Sequence, residues 1–319
     1  MDETLTKDRT GRKSKKEKKM TWSLIKSQSQ LIYMSVPLLA YIVLFAYVPI
    51  WGWTMAFQDY KPARSFSDQK WVGFKHFEFL FKDDSFLQVL RNTLAMSVIN
   101  LILGFTTAII LALLLNEIKK VFWKRTVQTI SYLPHFLSWI IVTGIVATSL
   151  ASDGIVNDVL LKLNLIKEPI QWLSEGKYFW GIVGASHVWK EVGWNTIIYL
   201  AAMSAIDPAL YEAADIDGAS RYRKMLHITL PGIKPTIIIL LIMSIGHILE
   251  AGFEVQYLLG NGLVLDWSQT IDIFVLKYGL AQGNYSLATA AGIFKTVVSV
   301  TMLLFANWMA KRLGEERLL

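Results

Sequence analysis

The chain has 319 residues, 53% of them hydrophobic and 18% charged, and its 32 Lys and Arg against 25 Asp and Glu give a formal charge of +7. A charged share below the roughly 25% of soluble domains, together with a positive mean hydropathy, excludes an ordinary soluble globular protein. The absence of cysteine excludes disulfides, thiolate metal sites and a cysteine nucleophile.

The chain begins with a basic run from Lys7 to Lys26. Such a run suits nucleic acid, but this one directly precedes an apolar stretch and has no recognition fold beside it. It reads as an orientation signal in contact with anionic lipid, and the first 20 or so residues are expected to be disordered. A bilayer span needs about 20 mainly apolar residues. Six are predicted, at 31–57, 93–115, 128–150, 179–205, 234–258 and 286–310. The first runs through Leu31, Val36, Leu38 and Phe45, too long for a signal-peptide core, and is expected to stay as an anchor. The predicted organisation is a basic cytoplasmic tail (1–30), a first transmembrane helix (31–57), an extracytoplasmic loop (58–92), a five-helix core (93–310) containing a loop at 206–233, and a cytoplasmic tail (311–319).

Orientation follows from the Lys and Arg outside the spans. With the N-terminus inside, the inner segments hold 20 and the outer segments 10. This bias predicts that both termini face the cytoplasm and puts residues 212–231 on the same side. The outer loop has apolar residues at Phe74, Phe77, Leu80 and Phe81, then at Phe86, Leu87 and Leu90, spacings that suit short amphipathic helices. A second outer segment, 151–178, mixes Asp153, Gly154, Asn157, Pro169 and Gly176 with Leu160, Leu163 and Trp172, and predicts turns with one short helix.

Polar residues inside spans are costly and normally face a cavity or a neighbouring helix. In the fourth span His187, Lys190, Glu191, Trp194 and Asn195 share one helical face. In the fifth, His247, Glu250 and Glu254 follow i, i+3 and i+7; the sixth adds Ser286, Thr289, Lys295 and Ser299. A hydroxyl-rich sugar wants such a lining, with aromatic faces such as Trp189, Trp194 or Phe253 for its ring. The structural alternative pairs Lys190 with Glu191, and Lys295 with a neighbouring acid, as salt bridges. Metal binding by His187 and Glu191 or by His247 and Glu250 lacks a third ligand at a convincing spacing.

Residues 212–231 are too charged for hydrocarbon yet carry an apolar stripe, so they need a surface to lie on. Glu212, Ala213 and Ala214 open a predicted helix, Gly218 turns the chain, and Pro231 and Pro235 end it. Glu212-Ala-Ala, Asp217-Gly218-Ala219, Ile228 and Leu230-Pro231 resemble the cytoplasmic signature loop of permease subunits of ATP-binding-cassette importers. Met225 stands where many sugar permeases carry Phe. The outer run ending at Asn92-Thr93 resembles the lead-in to the core of carbohydrate-type permeases. Glu250-Ala-Gly-Phe-Glu254, Thr270-Ile-Asp272, Tyr278-Gly279-Leu280, Tyr285-Ser286, Ala290-Ala-Gly292-Ile-Phe-Lys295 and Ala306-Asn307 are similar to the LplB-type branch of sugar permeases.

The resemblance implies an all-α membrane protein with six transmembrane helices, the type I importer permease (MetI-like) fold and a cytoplasmic coupling helix. It implies that Glu212, Ala213, Ala214, Asp217, Gly218, Leu230 and Pro231 couple to an ATPase. His187, Lys190, Glu191, Trp194, Asn195, Glu250, Glu254 and Lys295 are the expected substrate path. The implied partners are a second, non-identical permease, two ATPase subunits, an extracytoplasmic solute-binding protein, membrane lipid and an oligosaccharide, acidic by a mild preference and of plant or algal origin. No nucleic acid is expected. No phosphate loop or G-x-S-x-G elbow occurs, so the chain is expected not to be an enzyme and to hold no cofactor, with ATP and Mg in the partner. The competing readings are an ion-gradient-driven transporter using His247, Glu250 and Glu254 as a relay, which leaves the signature loop unexplained, and a membrane scaffold that recruits a cytoplasmic protein.

Overall fold

The computed structural model describes residues 28–312 and residue 314, so the basic tail to Ser27 and most of the C-terminal tail lie outside the described residues. It divides into two units, residues 1–53 and 54–319. The first contains α1 (Ser29–Ile42) and a π-helical turn (Val43–Tyr47), followed by a 3-10 stretch (Val48–Phe57) whose last residues belong to the second unit. Its apolar side chains, among them Leu31, Tyr33, Leu38 and Phe45, are exposed. An all-round apolar helix of this kind belongs in hydrocarbon.

The second unit opens with a two-residue antiparallel pair, β1 (Gln58–Asp59) and β2 (Lys70–Trp71), and the amphipathic α2 (Lys75–Lys82). The Gln69 amide closes the intervening turn, accepting from Lys61 N and donating to the carbonyls of Lys61, Arg64 and Ser65. Then comes α3 (Asp84–Glu117), whose Asp83 cap accepts from Ser85 N at 2.9 Å. The predicted second span is its apolar portion; the helix starts nine residues earlier, at the cap.

The third predicted span is not one helix. α4 (Val121–Tyr132) and the 3-10 turn Leu133–Phe136 meet α5 (Trp139–Ser149) at 103°. Pro134 sits at the start of the 3-10 turn, and Ser138 then caps a new helix through Ile141 N. α6 (Ile155–Lys162) is the expected short outer helix. Its segment is held by buried Asn157, which donates to the carbonyls of Ala151 and Ile170 and accepts from Ile170 N and from Trp172 Nε1.

α7 (Gly176–Ser204) packs along α3. At Gly193 it comes so close to the bend that an added Cβ would collide with the Ser131 carbonyl. Beyond a 72° turn follow α8 (Pro208–Ile216) and α9 (Arg221–Lys224), the latter continuing through a π-helical turn (Met225–Thr229) to Gly232. α10 (Lys234–Gly246) is the membrane part of the fifth predicted span, and there the prediction is corrected. The helix stops at Gly246, residues 247–253 are unwound, and α11 (Glu254–Leu259) starts afresh. Gly252, at φ +92°, takes a left-handed conformation that a continuous helix does not allow. Two short helices, α12 (Leu265–Ser268) and α13 (Ile271–Val275), lead to the long α14 (Tyr285–Arg312).

Among the described residues three helices are long and apolar enough to cross a membrane, and up to six spans result when each bent pair is taken as one. Four apolar clusters bind the unit: one around Phe86, Ile271 and Phe274, one around Met96, Phe179 and Val255, one around Ala108, Tyr199 and Ile233, and one around Ile242, Ala306 and Ala310. Polar ties anchor the segment after α11. Asn92 Nδ2 donates to the carbonyls of Asp266 (3.0 Å) and Gln269 (3.1 Å), and Thr93 Oγ1 accepts from Ile271 N at 3.0 Å. Arg91 lies over the rings of Trp180 and Trp267. Ser286 Oγ donates to the Gln58 carbonyl at 2.6 Å and accepts from Tyr60 N, tying β1 to α14.

Candidate transport cavity and coupling surface

A cavity of about 540 Å³ lies among α3, α5, α7, α10 and the unwound 247–253 stretch. Of the expected path residues, His187, Glu191, Asn195, Glu250 and Glu254 line it. The first three stand on one face of α7, as their i, i+4, i+8 spacing requires. Glu250 and Glu254 reach it by another route. They are not on a shared helical face, because the helix ends before His247; Glu250 lies in the unwound stretch and Glu254 begins α11. His247 Nδ1 meets Glu250 Oε2 at 3.0 Å across the turn.

Three expected path residues do not line the cavity. Lys190 is buried and points at the bend, where its Nζ donates to the His135 carbonyl at 2.7 Å and to Glu191 Oε1 at 3.0 Å, over the Trp139 ring. Trp194 stacks flat on the His135 ring, with centroids 4.4 Å apart. Lys295 donates to Asp272 Oδ1 at 2.7 Å and bridges α14 to α13. For the two lysines the salt-bridge alternative is the structural outcome. His135 Nδ1 also donates to Glu191 Oε2 at 2.7 Å, so a carboxylate facing the cavity is held from behind by an ammonium and an imidazole. A carboxylate partly withdrawn from water is stabilised by such partners.

The sequence reading missed Ser97, Asn100, Trp139, Tyr199 and Gln256, all on the cavity wall. Ser97, Asn100 and Gly104 recur at three to four residues on α3, a polar-small stripe legible within an apolar helix. Gln256 carried no such signal, since it was assigned to the end of a continuous span.

The signature segment forms a separate, exposed feature. Its helix begins at Pro208, not at Glu212: Asp207 caps it by accepting from Ala209 N at 2.9 Å, and Pro208 fills the first turn. Glu212, Ala213 and Ala214 are therefore mid-helix. Glu212 and Asp217 are exposed, as is Ile216 at 87%, and Gly218 at φ +70° reverses the chain as expected. Behind this face, Tyr211 Oη meets Thr229 Oγ1 at 2.9 Å and Lys224 donates to Asp215. Met225 and Leu230 pack with Ile206 and Ile233 into the cluster beneath. Leu230 thus anchors the segment from its inner side, while Pro231 is exposed beside it.

An α-helical membrane bundle with a polar cavity among its helices and an exposed, charged signature helix has the build of a transport permease. The model of the family described as "Binding-protein-dependent transport system inner membrane component" matches residues 101–315, and the chain belongs to that family. It is 44% identical to the polygalacturonan/rhamnogalacturonan transport system permease protein YteP of Bacillus subtilis (strain 168), over 95% of this chain and 94% of that protein. To protein LplB of the same organism it is 41% identical over 99% of each. A crystal structure of a bacterial ABC transporter that imports the acidic polysaccharide alginate contains a chain with a TM-score of 0.85 and 41% identity, covering 91% of this chain and 98% of that one. The expected MetI-like permease fold is therefore present, and the chain is a prokaryotic membrane component of an ABC importer, not itself an enzyme.

Proposed function

We propose that the chain is the permease through which an ATP-driven importer takes up an oligosaccharide, acidic and derived from a plant or algal polysaccharide. A solute-binding protein outside delivers it, a second, non-identical permease completes the pathway, and two ATPase subunits bind ATP and Mg. Both termini face the cytoplasm. The loop 206–233 is the coupling element, with Glu212, Ala213, Ala214, Asp217 and Gly218 seated in a cleft of the ATPase and Leu230 and Pro231 fixing it to the spans. ATP-driven closure of the ATPases carries this loop, and the spans alternate between two access states by rigid-body motion.

One observation carries the reading: a cavity lined by His187, Glu191, Asn195 and Glu250, amid aromatic rings, inside a fold that matches a chain of an alginate importer nearly end to end. The acidic preference is supported by that transporter's substrate and by the name of the polygalacturonan/rhamnogalacturonan permease. Purification in mild detergent tests it. An ATPase and a second permease are expected to accompany the chain, and hydrolysis is expected to rise with one saccharide class and its binding protein. A chain that arrives alone and moves solute under an ion gradient overturns the proposal. Within the complex, replacing Glu212 and Gly218 together is expected to abolish uptake while assembly persists; undiminished uptake removes the coupling role.

A further inference from the structure

Three oxygen atoms on the cavity wall are shut off from solvent and have no hydrogen-bond partner among the described residues: Ser97 Oγ, Asn100 Oδ1 and Gln256 Oε1. Gln256 is 1% and Ser97 6% exposed, and Asn100 is half-buried. Buried polar atoms are normally satisfied, so three orphans on one wall need an account.

Their orientation is dictated by a fourth group. Asn100 Nδ2 donates to the Ala251 carbonyl at 3.4 Å, and Gln256 Nε2 donates to the same carbonyl at 2.5 Å. A carbonyl only accepts, so each amide must turn its nitrogen towards Ala251 and its oxygen away. Ser97 stands one turn before Asn100 on the same face of α3. Beside them, a Cβ on Gly252 would approach Gln256 Oε1 to 3.3 Å, so a larger residue there would press on that oxygen.

We propose that Ser97, Asn100 and Gln256 form a subsite for hydroxyl groups of the transported saccharide, one that takes O–H donors and refuses carboxylates. Two of the three orphans can only accept, and the missing partner must bring a proton. A sugar hydroxyl brings one. An ionised carboxylate brings none and would set oxygen against oxygen where water is scarce. Elsewhere on the wall stand the carboxylates of Glu191, Glu250 and Glu254 together with the imidazoles of His187 and His247, and among the described residues no Lys or Arg lines the cavity. An acidic oligosaccharide therefore passes this part of the wall with a hydroxyl-bearing edge turned to α3 and α11 and its carboxylates turned away from these three oxygens. The inference rests on the reading of the cavity as a saccharide path.

The test uses proteoliposomes holding the complete importer, first with a panel of oligogalacturonides, rhamnogalacturonan fragments and alginate oligomers, then with analogues of the best-transported one in which single hydroxyls are replaced by fluorine. Fluorine keeps the size and removes the proton. In the native importer at least one such analogue is expected to show a KM about tenfold higher, the effect of leaving a buried acceptor unpaired. Asn100→Ala and Gln256→Met are expected to raise the KM of the parent sugar by about the same factor and to erase the penalty for that analogue. If Gln256→Met fails to assemble, Ser97→Ala, which removes one oxygen and no bond to Ala251, carries the same readout. Variants that keep the native penalty for every analogue overturn the subsite while leaving the transport reading intact. A native importer that moves no saccharide in the panel overturns that reading and the subsite with it.

Discussion

Glu191 and Glu212 are carboxylates at the two ends of one stretch of chain, and they are held in opposite ways. Glu191, on the cavity wall, is gripped by Lys190 and His135, on a helix whose Gly193 presses against the backbone of the 103° bend. Glu212 sits exposed on a nine-residue helix attached from its inner side by Tyr211, Met225 and Leu230. Around Glu191 the cavity wall is held by mutually dependent polar contacts within the bundle. The signature segment is an exposed, pre-shaped face, and the proposed coupling role gives it a partner in another molecule. Damage to the first should appear as lost stability, and damage to the second as lost function in a protein that still folds.

The largest effect is expected at the wall. Gly193→Leu forces a side chain into the Ser131 carbonyl and should abolish recovery of folded protein from membranes. Lys190→Met strips the half-buried Glu191 carboxylate of its buried ammonium; thermal unfolding in detergent should show a loss of about 2 kcal/mol, more than a typical solvent-exposed pair supplies. Asn92→Ala, which frees the carbonyls of Asp266 and Gln269, should cost about 2 kcal/mol in the same assay. Ile216→Ser with Glu212→Ala should leave the melting temperature within about a degree, as for other surface changes, and abolish ATP-driven uptake. An equal loss of stability there would erase the contrast. The smallest effect belongs to the exposed Lys82–Glu78 pair. The Lys82 ammonium holds the Glu78 carboxyl below its ordinary 4.5, so any contribution is present above that pH and lost as pH falls through the lowered value. Lys82→Ala should leave the melt unchanged at neutral pH.

The same contrast explains what could be read in the sequence. The stripe at 187, 191 and 195 was legible because a helical period does not depend on tertiary context, and the exposed signature face was legible because it is built locally. Its start was misplaced at Glu212 although Asp207-Pro208 spells a capped first turn. The fifth span failed for a physical reason. Hydropathy continues through residues 247–253 while the backbone does not, and only the left-handed Gly252 and the Ala251 carbonyl, taken up by two amides from different helices, show why. The roles of Lys190 and Lys295 turn on carboxylates and carbonyls whose nearness in space no spacing rule delivers.

The thirteen residues of α10 have one more consequence. At 1.5 Å per residue they make a rod about 20 Å long. One end emerges beside Ile233, in the cluster that holds Met225 and Leu230; the other stops at His247, four residues before the carbonyl on which Asn100 and Gln256 converge. No flexible joint interrupts it. On the proposed coupling role, a thrust received at the signature segment passes the 54° bend at the start of α10 and is then delivered, like the stroke of a pushrod, at the place where the wall of the passage is pinned.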